Sequence, residues 1–335
     1  MKDAYLAGDI GGTKTVLALF SHEHGPHQSF EREVFPSQEF SSLTEIVQIY
    51  LTGKSVHIRG AGFGIAGPVS QGRAIVTNLP WIIENSTLSE ALEGSPVWLL
   101  NDLLSIAHAM PYLSPADLHT VKTGVHQTHG ALGVVAPGTG LGEGFLVWDG
   151  ERYQAHPSEG GHTNFGPGTQ DELDLLAYLL PKMGHVSWER VCSGIGIPNL
   201  YTFWREARQL EEPAWLKDAL AAAADPVPVI VQAGVEGKAE ICVKTLDLFT
   251  SILASEAGNL ALKILATGGI FIGGGIPPRI LSKIDPQQFQ RAFINKGRFT
   301  EILARIPAYV ILKPDTALFG VACHIFEQTE GVIAR

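Results

Sequence analysis

Three short stretches pair glycine with polar groups suited to phosphate. In GDIGGT, Gly8–Thr13, a carboxylate (Asp9), a lone apolar residue (Ile10), adjacent glycines (Gly11 and Gly12) and a hydroxyl (Thr13) lie between two strand-forming runs. Gly138-Thr139-Gly140 in APGTGLG and Gly273-Gly274-Gly275 in GIFIGGGI also follow apolar runs. Without a side chain, backbone N–H groups approach phosphate oxygens closely and form an anion-binding concavity. Each stretch is equally readable as a plain hairpin or strand-end turn. None ends in the Gly-Lys-Ser/Thr of a P-loop, and none is a G-x-G-x-x-G opening a helix with a ribose-binding acid. Three such turns fit a phosphate clamp of another kind. Asp9 can cap its own turn through the backbone, or hold, directly or through water, a Mg²⁺ carried by nucleotide phosphates.

A second group of residues fits proton transfer and the reading of hydroxyls. Asn101-Asp102 ends the apolar run Val97–Leu100 and precedes a helical stretch. As a helix cap the pair would be structural. As the floor of a site, the carboxylate would accept the proton of a substrate hydroxyl and the amide would fix a neighbouring one. Glu159 and His162 share a glycine-rich loop, HPSEGGHTNFGPGT. Beside the reading as a satisfied polar loop, an acid and an imidazole at that spacing suit vicinal hydroxyls. Glu189 in SWERVCSG reads as a helical acid that pairs with Arg190 or a distant base, or as a further hydroxyl acceptor.

The elements that must position these residues read as α/β. Tyr5–Ala7 and Val16–Phe20 form a hairpin, followed by a helix over Ser42–Leu51 and strands at Ala61–Val69, Ala74–Trp81 and Pro96–Asp102. A helix over Leu103–Met110 follows. Gly130–Gly150 repeats the opening pattern of strand, Gly/Thr turn and strand, which points to two related lobes. Thr169–Gln232 is mostly helical, Ala239–Leu265 is a long helix with apolar positions at helical spacing, Gly269–Ile276 is a strand, and Thr316–Phe326 a helix with an apolar stripe.

Bulk properties narrow the class. The 335 residues are 45% hydrophobic and 17% charged, a globular balance. With 24 Lys+Arg against 34 Asp+Glu, the net charge of −10 offers no footprint for nucleic acid or an anionic membrane. Cys192, Cys242 and Cys323 are widely spaced, so neither a zinc knuckle nor a redox dithiol is expected, and core thiols in a reducing compartment are. No signal peptide is read at the start, and Gly268–Ile276 is too short to span a bilayer. A soluble cytoplasmic protein is expected.

Taken in order, GDIGGT, TNLPW, LLNDL, APGTGLG, EGGHTNF, GHVSWERVCSG, GIFIGGGI and NKGRF resemble the bacterial glucokinases of the hexokinase/actin-like ATPase superfamily across essentially the whole chain. The resemblance implies a two-lobed actin-like ATPase (ribonuclease H-like) α/β fold with a mixed sheet in each lobe and a cleft between them. Residues 1–112 plus 315–335 would form the small lobe and 113–314 the large one. It implies phosphorylation of D-glucose at the 6-hydroxyl by ATP with Mg²⁺, and a homodimer. It makes Asp102 the base and Asn78, Asn101, Glu159, His162 and Glu189 the sugar contacts. Gly8–Thr13 becomes the first phosphate loop, with Asp9 near the metal, Gly138–Gly140 the second, and Gly273–Gly275 the adenosine-side turn.

One departure separates this chain from the related repressor/open-reading-frame/kinase group. That group carries a zinc-binding cysteine cluster just after its E-x-G-H segment, where this chain reads TNFGPGTQDELDLLAYL. The zinc-free branch is therefore expected, with no zinc site. The repressors of that group carry a DNA-binding extension ahead of the first phosphate loop, and here Gly8 is reached almost at once. A kinase for another hexose or an N-acetylhexosamine, and a non-catalytic sugar sensor, are the rival classes.

Overall fold

In the computed structural model, the apolar runs flanking Gly8–Thr13 form β1 (Lys2–Ile10) and β2 (Lys14–Phe20), antiparallel in a register that pairs Asp9 with Val16 and Ile10 with Thr15. The structure describes residues 1–331, in two compact units: Met1–Ser114 with the segment from Lys313 onward, and Pro115–Leu312.

In the first unit, β3 (Ser29–Pro36) pairs with β2. Helix α1 (Leu43–Leu51) follows, its first turn capped by the Ser42 side chain, which accepts the Glu45 N–H at 3.2 Å. Strand β4 (Val56–Ile65) runs parallel to β1. A small antiparallel ribbon comes next: β5 (Val69–Ser70), β6 (Arg73–Ile75) and β7 (Ile82–Glu84). The expected strand Ala74–Trp81 is thus confined to its first residues. Pro80, with no N–H and a fixed φ, suits a turn, and the Val76 N–H closes onto the Trp81 carbonyl at 3.3 Å. Helix α2 (Asn85–Ala91), β8 (Val97–Asn101) and α3 (Asp102–Ala109) complete this stretch.

The sheet order is β3-β2-β1-β4-β8. Both faces are covered, which explains the near-continuous apolar strands. Leu6, Ile10, Leu17 and Leu19 pack with Ile46, Val47 and Phe63 on one face, while Tyr5, Ala7, Val16 and Ala18 pack on the other with residues of the chain's last helix.

The second unit holds β9 (Leu118–Lys122), β10 (Leu132–Pro137), β11 (Leu141–Trp148) and β12 (Tyr153–Ser158), then α4 (Gln170–Met183), α5 (Gly196–Glu206), α6 (Ala214–Ala222) and α7 (Pro226–Val235). The 25-residue α8 (Glu240–Ile264) is buried over most of its circumference. After it come β13 (Gly269–Ile272), α9 (Pro277–Ile280), α10 (Pro286–Ile294), α11 (Thr300–Arg305) and β14 (Ala308–Ile311). The order β12-β11-β10-β13-β14-β9 repeats the first sheet's plan: an antiparallel trio, then two strands parallel to its inner member, with β9 added at the edge. The echo between the two glycine-turn segments is therefore an echo of whole sheets.

Helix α12 (Thr316–Thr329) returns to the first unit and packs on β1, β4 and α3. Its close fit to α3 depends on Gly320, where a Cβ would lie 1.8 Å from the Ser105 carbonyl oxygen. Gly320→Ala should lower the unfolding free energy by about 1–3 kcal/mol through forced separation of the two helices, read as a lower urea midpoint at unchanged m.

Candidate active site

The first unit's strands end level with one another, because β1 pairs Ile10 with Ile65 of β4, and β4 pairs Ile65 with Asn101 of β8. Ligand sites in α/β sheets favour this carboxyl edge. Asp9 stands one residue before the end of β1, and Asp102 opens α3 just past the end of β8. The Asn101 side-chain oxygen caps α3 by accepting the Leu104 N–H at 2.7 Å, which leaves its amide group for a ligand. Asp102 is exposed, and its Oδ1 accepts the Leu103 N–H at 3.0 Å. The positive end of the α3 dipole favours its carboxylate form. Asn78 lies against the first glycine turn: a Cβ on Gly12 would sit 2.7 Å from the Asn78 Cβ.

Asp9 is mostly buried, and its carboxyl is pushed up to about 6, by burial first, with Lys14 opposing and the negative charges of Asp315 and Asp102 adding to the rise. Three carboxylates therefore act on one another at this edge. Asp315 was not singled out in the sequence; an acid ahead of a helix reads as a cap. Here it makes no side-chain cap, adopts φ 52°, and accepts a hydrogen bond from Arg32 Nη2 at 2.8 Å. An acidic edge of this kind fits Mg²⁺, which takes few protein carboxylates and completes its shell with phosphate oxygens and water.

In the second unit, the β10–β11 register pairs Pro137 with Leu141 and leaves Gly138–Gly140 as the turn, closed by the Gly138 N–H on the Gly140 carbonyl at 2.9 Å. The Gly194 and Ile195 N–H groups hold the carbonyls of Gly138 and Thr139 at 2.8 and 3.2 Å. The third glycine turn is stacked on the base of this one. The Gly273 N–H donates to the Val135 carbonyl at 3.0 Å, and Gly274 has φ 80° with its absent Cβ 2.3 Å from the Pro137 carbonyl oxygen. Only glycine meets both demands there. Beside this turn opens a cavity of about 270 Å³ lined by Val227, Val231, Val235, Ile276 and Arg279 among others, an apolar slot that sequence reading did not find.

Glu159 and His162 flank a short turn, Gly160–His162, against which a second segment is laid: the Glu189 N–H donates to the Gly161 carbonyl at 2.8 Å and the Trp188 N–H to that of Thr163 at 3.1 Å. Glu189 is therefore in a turn, not a helix, and its carboxylate does not pair with Arg190. Its Oε2 accepts the Leu141 N–H at 3.1 Å, in space a Cβ on Gly140 would occupy at 2.4 Å, while Oε1 stands 3.8 Å from His162 Nδ1. The other ring nitrogen of His162 is 3.8 Å from Glu159 Oε2, and the Glu159 side chain is 91% exposed. Glu189, only 18% exposed, thus ties the second phosphate-type turn to the Glu/His loop.

A buried acid supports that loop from below. Glu143 pairs with Ser158 across β11 and β12, and a Cβ on Gly160 would lie 2.0 Å from its Oε2. It is 1% exposed, and burial, followed by the charge of Glu256, pushes its carboxyl up to about 8. Glu256 has Lys263 Nζ at 3.2 Å and the Asn259 amide at 2.8 Å, so the proton belongs on Glu143. The signal was present as an acid inside an apolar strand. A carboxyl raised in the fold is protonated there over a window in which the unfolded chain has already lost the proton. Stability thus falls as pH rises from about 4.5 to about 8, by up to about 1.4 kcal/mol per pH unit from this group. Glu143→Gln keeps the neutral form at all pH and should flatten that slope in urea melts taken from pH 5 to 8.

A family model described as Glucokinase matches residues 6–328. The glucokinase of Trichormus variabilis is 40% identical over 333 residues, which take in 95% of this chain and 97% of its own. The crystal structure of a glucokinase from an Antarctic psychrotroph is similar with a TM-score of 0.85 at 30% identity, covering 98% of this chain and 100% of that one. A ROK family glucokinase from Streptomyces griseus, crystallised with glucose and AMPPNP, has a TM-score of 0.64 at 19% identity over 97% of this chain and 99% of its own. The fold is the actin-like ATPase fold of these sugar kinases. Because the family match takes in both sheets, every glycine turn and the returning helix α12, the chain belongs to the glucokinase family.

Proposed function

We propose that the protein transfers the γ-phosphoryl group of ATP to the 6-hydroxyl of D-glucose, with Asp102 as the general base. The observation that carries this is the acidic strand edge, where Asp102 lies at the mouth of α3 within the field of Asp9. Phosphoryl transfer asks mainly for positioning and charge neutralisation, plus a group to take the acceptor's proton. The glucose hydroxyls are held by the Asn101 amide, Asn78, Glu159, His162 and Glu189. The C6 oxygen attacks the γ-phosphorus, its proton passes to the Asp102 carboxylate, and the bond to the β–γ bridging oxygen breaks to release ADP.

The turns Gly8–Thr13 and Gly138–Gly140 offer backbone N–H groups to the phosphates, and the adenosine lies by Gly273–Gly275 with its base in the slot beside Ile276. Mg²⁺, held near Asp9 directly or through water, would offset the charge of the β- and γ-phosphates. Shielding the bound substrates from water, a competing acceptor, would keep the phosphoryl group from being lost to hydrolysis. The reading extends to a reducing, cytoplasmic setting, in keeping with three free buried cysteines, and to a homodimer, which light scattering of the purified protein checks.

A coupled assay with MgATP and a panel of D-glucose, D-mannose, D-fructose and N-acetylmannosamine tests the substrate. Turnover on glucose well above the other three supports the reading; a preference for another sugar moves the specificity, and binding of sugar without turnover would make the protein a sensor.

A further inference from the structure

Within the first unit, α3 and α12 bring His108, His324 and Glu327 together, with one ligand atom from each within 4.8 Å of the others. We propose that these three side chains form a zinc-type divalent-metal site that staples α12 to α3. His324 and Glu327 are three residues apart on α12 and so share a face, and His108 meets them from α3. His108 Nδ1 is 3.6 Å from Glu327 Oε2, and the two imidazole rings are 4.4 Å apart between centroids. Two ligands about 2.1 Å from a tetrahedral ion lie about 3.4 Å apart, so the His108–Glu327 pair is already at that separation and small side-chain rotations bring in His324.

The ligand set, two imidazoles and a carboxylate, is one that Zn²⁺ takes while keeping a fourth position for water. Tyr112 donates its hydroxyl to the other oxygen of Glu327 at 2.6 Å, the kind of outer contact that orients a ligating carboxylate. The side chains of His108 and Glu327 are only 11% and 8% exposed, and Trp98 sets its ring edge-on to His324. The site uses no cysteine, and its ligands lie near opposite ends of the first unit's sequence, so no spacing motif reveals it. Its consequence is mechanical. Helix α3 carries Asp102 at its first residue and His108 near its last, and metal at the far end would hold the helix to α12 without touching the substrates.

The test is titration of chelator-treated protein with Zn²⁺ alone, and with Co²⁺ as a spectroscopic reporter. The expected result is one metal per chain at micromolar affinity or tighter, the visible absorption of tetrahedral Co²⁺, and a higher Tm with Zn²⁺. His324→Asn and His108→Ala should each weaken binding by roughly a hundredfold or more and abolish the Co²⁺ band, with the rate of sugar phosphorylation in the absence of added Zn²⁺ unchanged. Failure of the wild-type protein to bind a stoichiometric metal would overturn the proposal and leave an ordinary His–Glu ion pair; so would binding undiminished in both variants. The wild-type titration decides by itself should a variant not fold.

Discussion

Asp102→Ala lowers kcat by roughly three orders of magnitude, the range expected when a positioned general base is removed. The variant stays folded, because the α3 cap is the Asn101 side chain and not that of Asp102, and the Asp102 side chain is exposed. Its unfolding free energy should therefore stay within about 0.5 kcal/mol of wild type. Glucose binding, measured by calorimetry without nucleotide, should change little, since the remaining sugar contacts are intact. Asp102→Asn separates charge from shape: it keeps the side chain's size and offers a donor where the proton must go, so it should be nearly as slow. Turnover close to wild type in either variant would remove Asp102 from the mechanism.

Glu189→Ala raises the KM for glucose by about 10- to 100-fold, the loss of one or two hydrogen bonds to a charged acceptor. The KM for ATP moves less, by a few fold, through a different route. Leu141 loses the acceptor for its N–H, and the Gly138–Gly140 turn loses the carboxylate that fills the space beside Gly140. His162, 3.8 Å from Glu189, loses a partner that orients its ring. Glu189→Gln should fall between, since its amide oxygen can still accept from Leu141. A larger effect on ATP than on glucose would make Glu189 a support for the phosphate turn and not a sugar contact.

Much of the fold was readable because its signals are local. The two strand–glycine turn–strand patterns became the β1–β2 and β10–β11 hairpins, and the apolar spacing of Ala239–Leu265 became α8. Asn101 illustrates the limit of reading residue by residue: it is the helix cap that its type implies and also a neighbour of Asp102 at the strand edge, so the cap by itself does not decide between the structural and functional readings. Ala74–Trp81 was read as a strand from its apolar residues, but the turn through Pro80 ends the pairing after Ile75. Glu189 was placed on a helix because its neighbours are compatible with one. What holds it in a turn is pairing with Gly161 and Thr163, a long-range partner the local pattern does not carry.

Charge interactions across the chain were the least legible part. Asp315 acts on Asp9 from the other end of the sequence, and Glu143 lies under Gly160 through the pairing of two strands. The slot beside Gly273–Gly275 draws its apolar lining from Val227, Val231 and Val235 of α7 and from Ile276, residues whose separate positions look like ordinary core, with the charged Arg279 at its side. These arrangements come from tertiary packing, and no single window of sequence contains them.

The central claim, that the γ-phosphoryl of ATP goes to the 6-hydroxyl of glucose, is tested most directly by following phosphorus NMR of the purified protein with MgATP and D-glucose. One glucose 6-phosphate formed for each ADP, with no free phosphate while glucose is in excess, is the expected result. Phosphate release without a sugar phosphate, phosphorylation at another hydroxyl, or no reaction from a folded protein would contradict it.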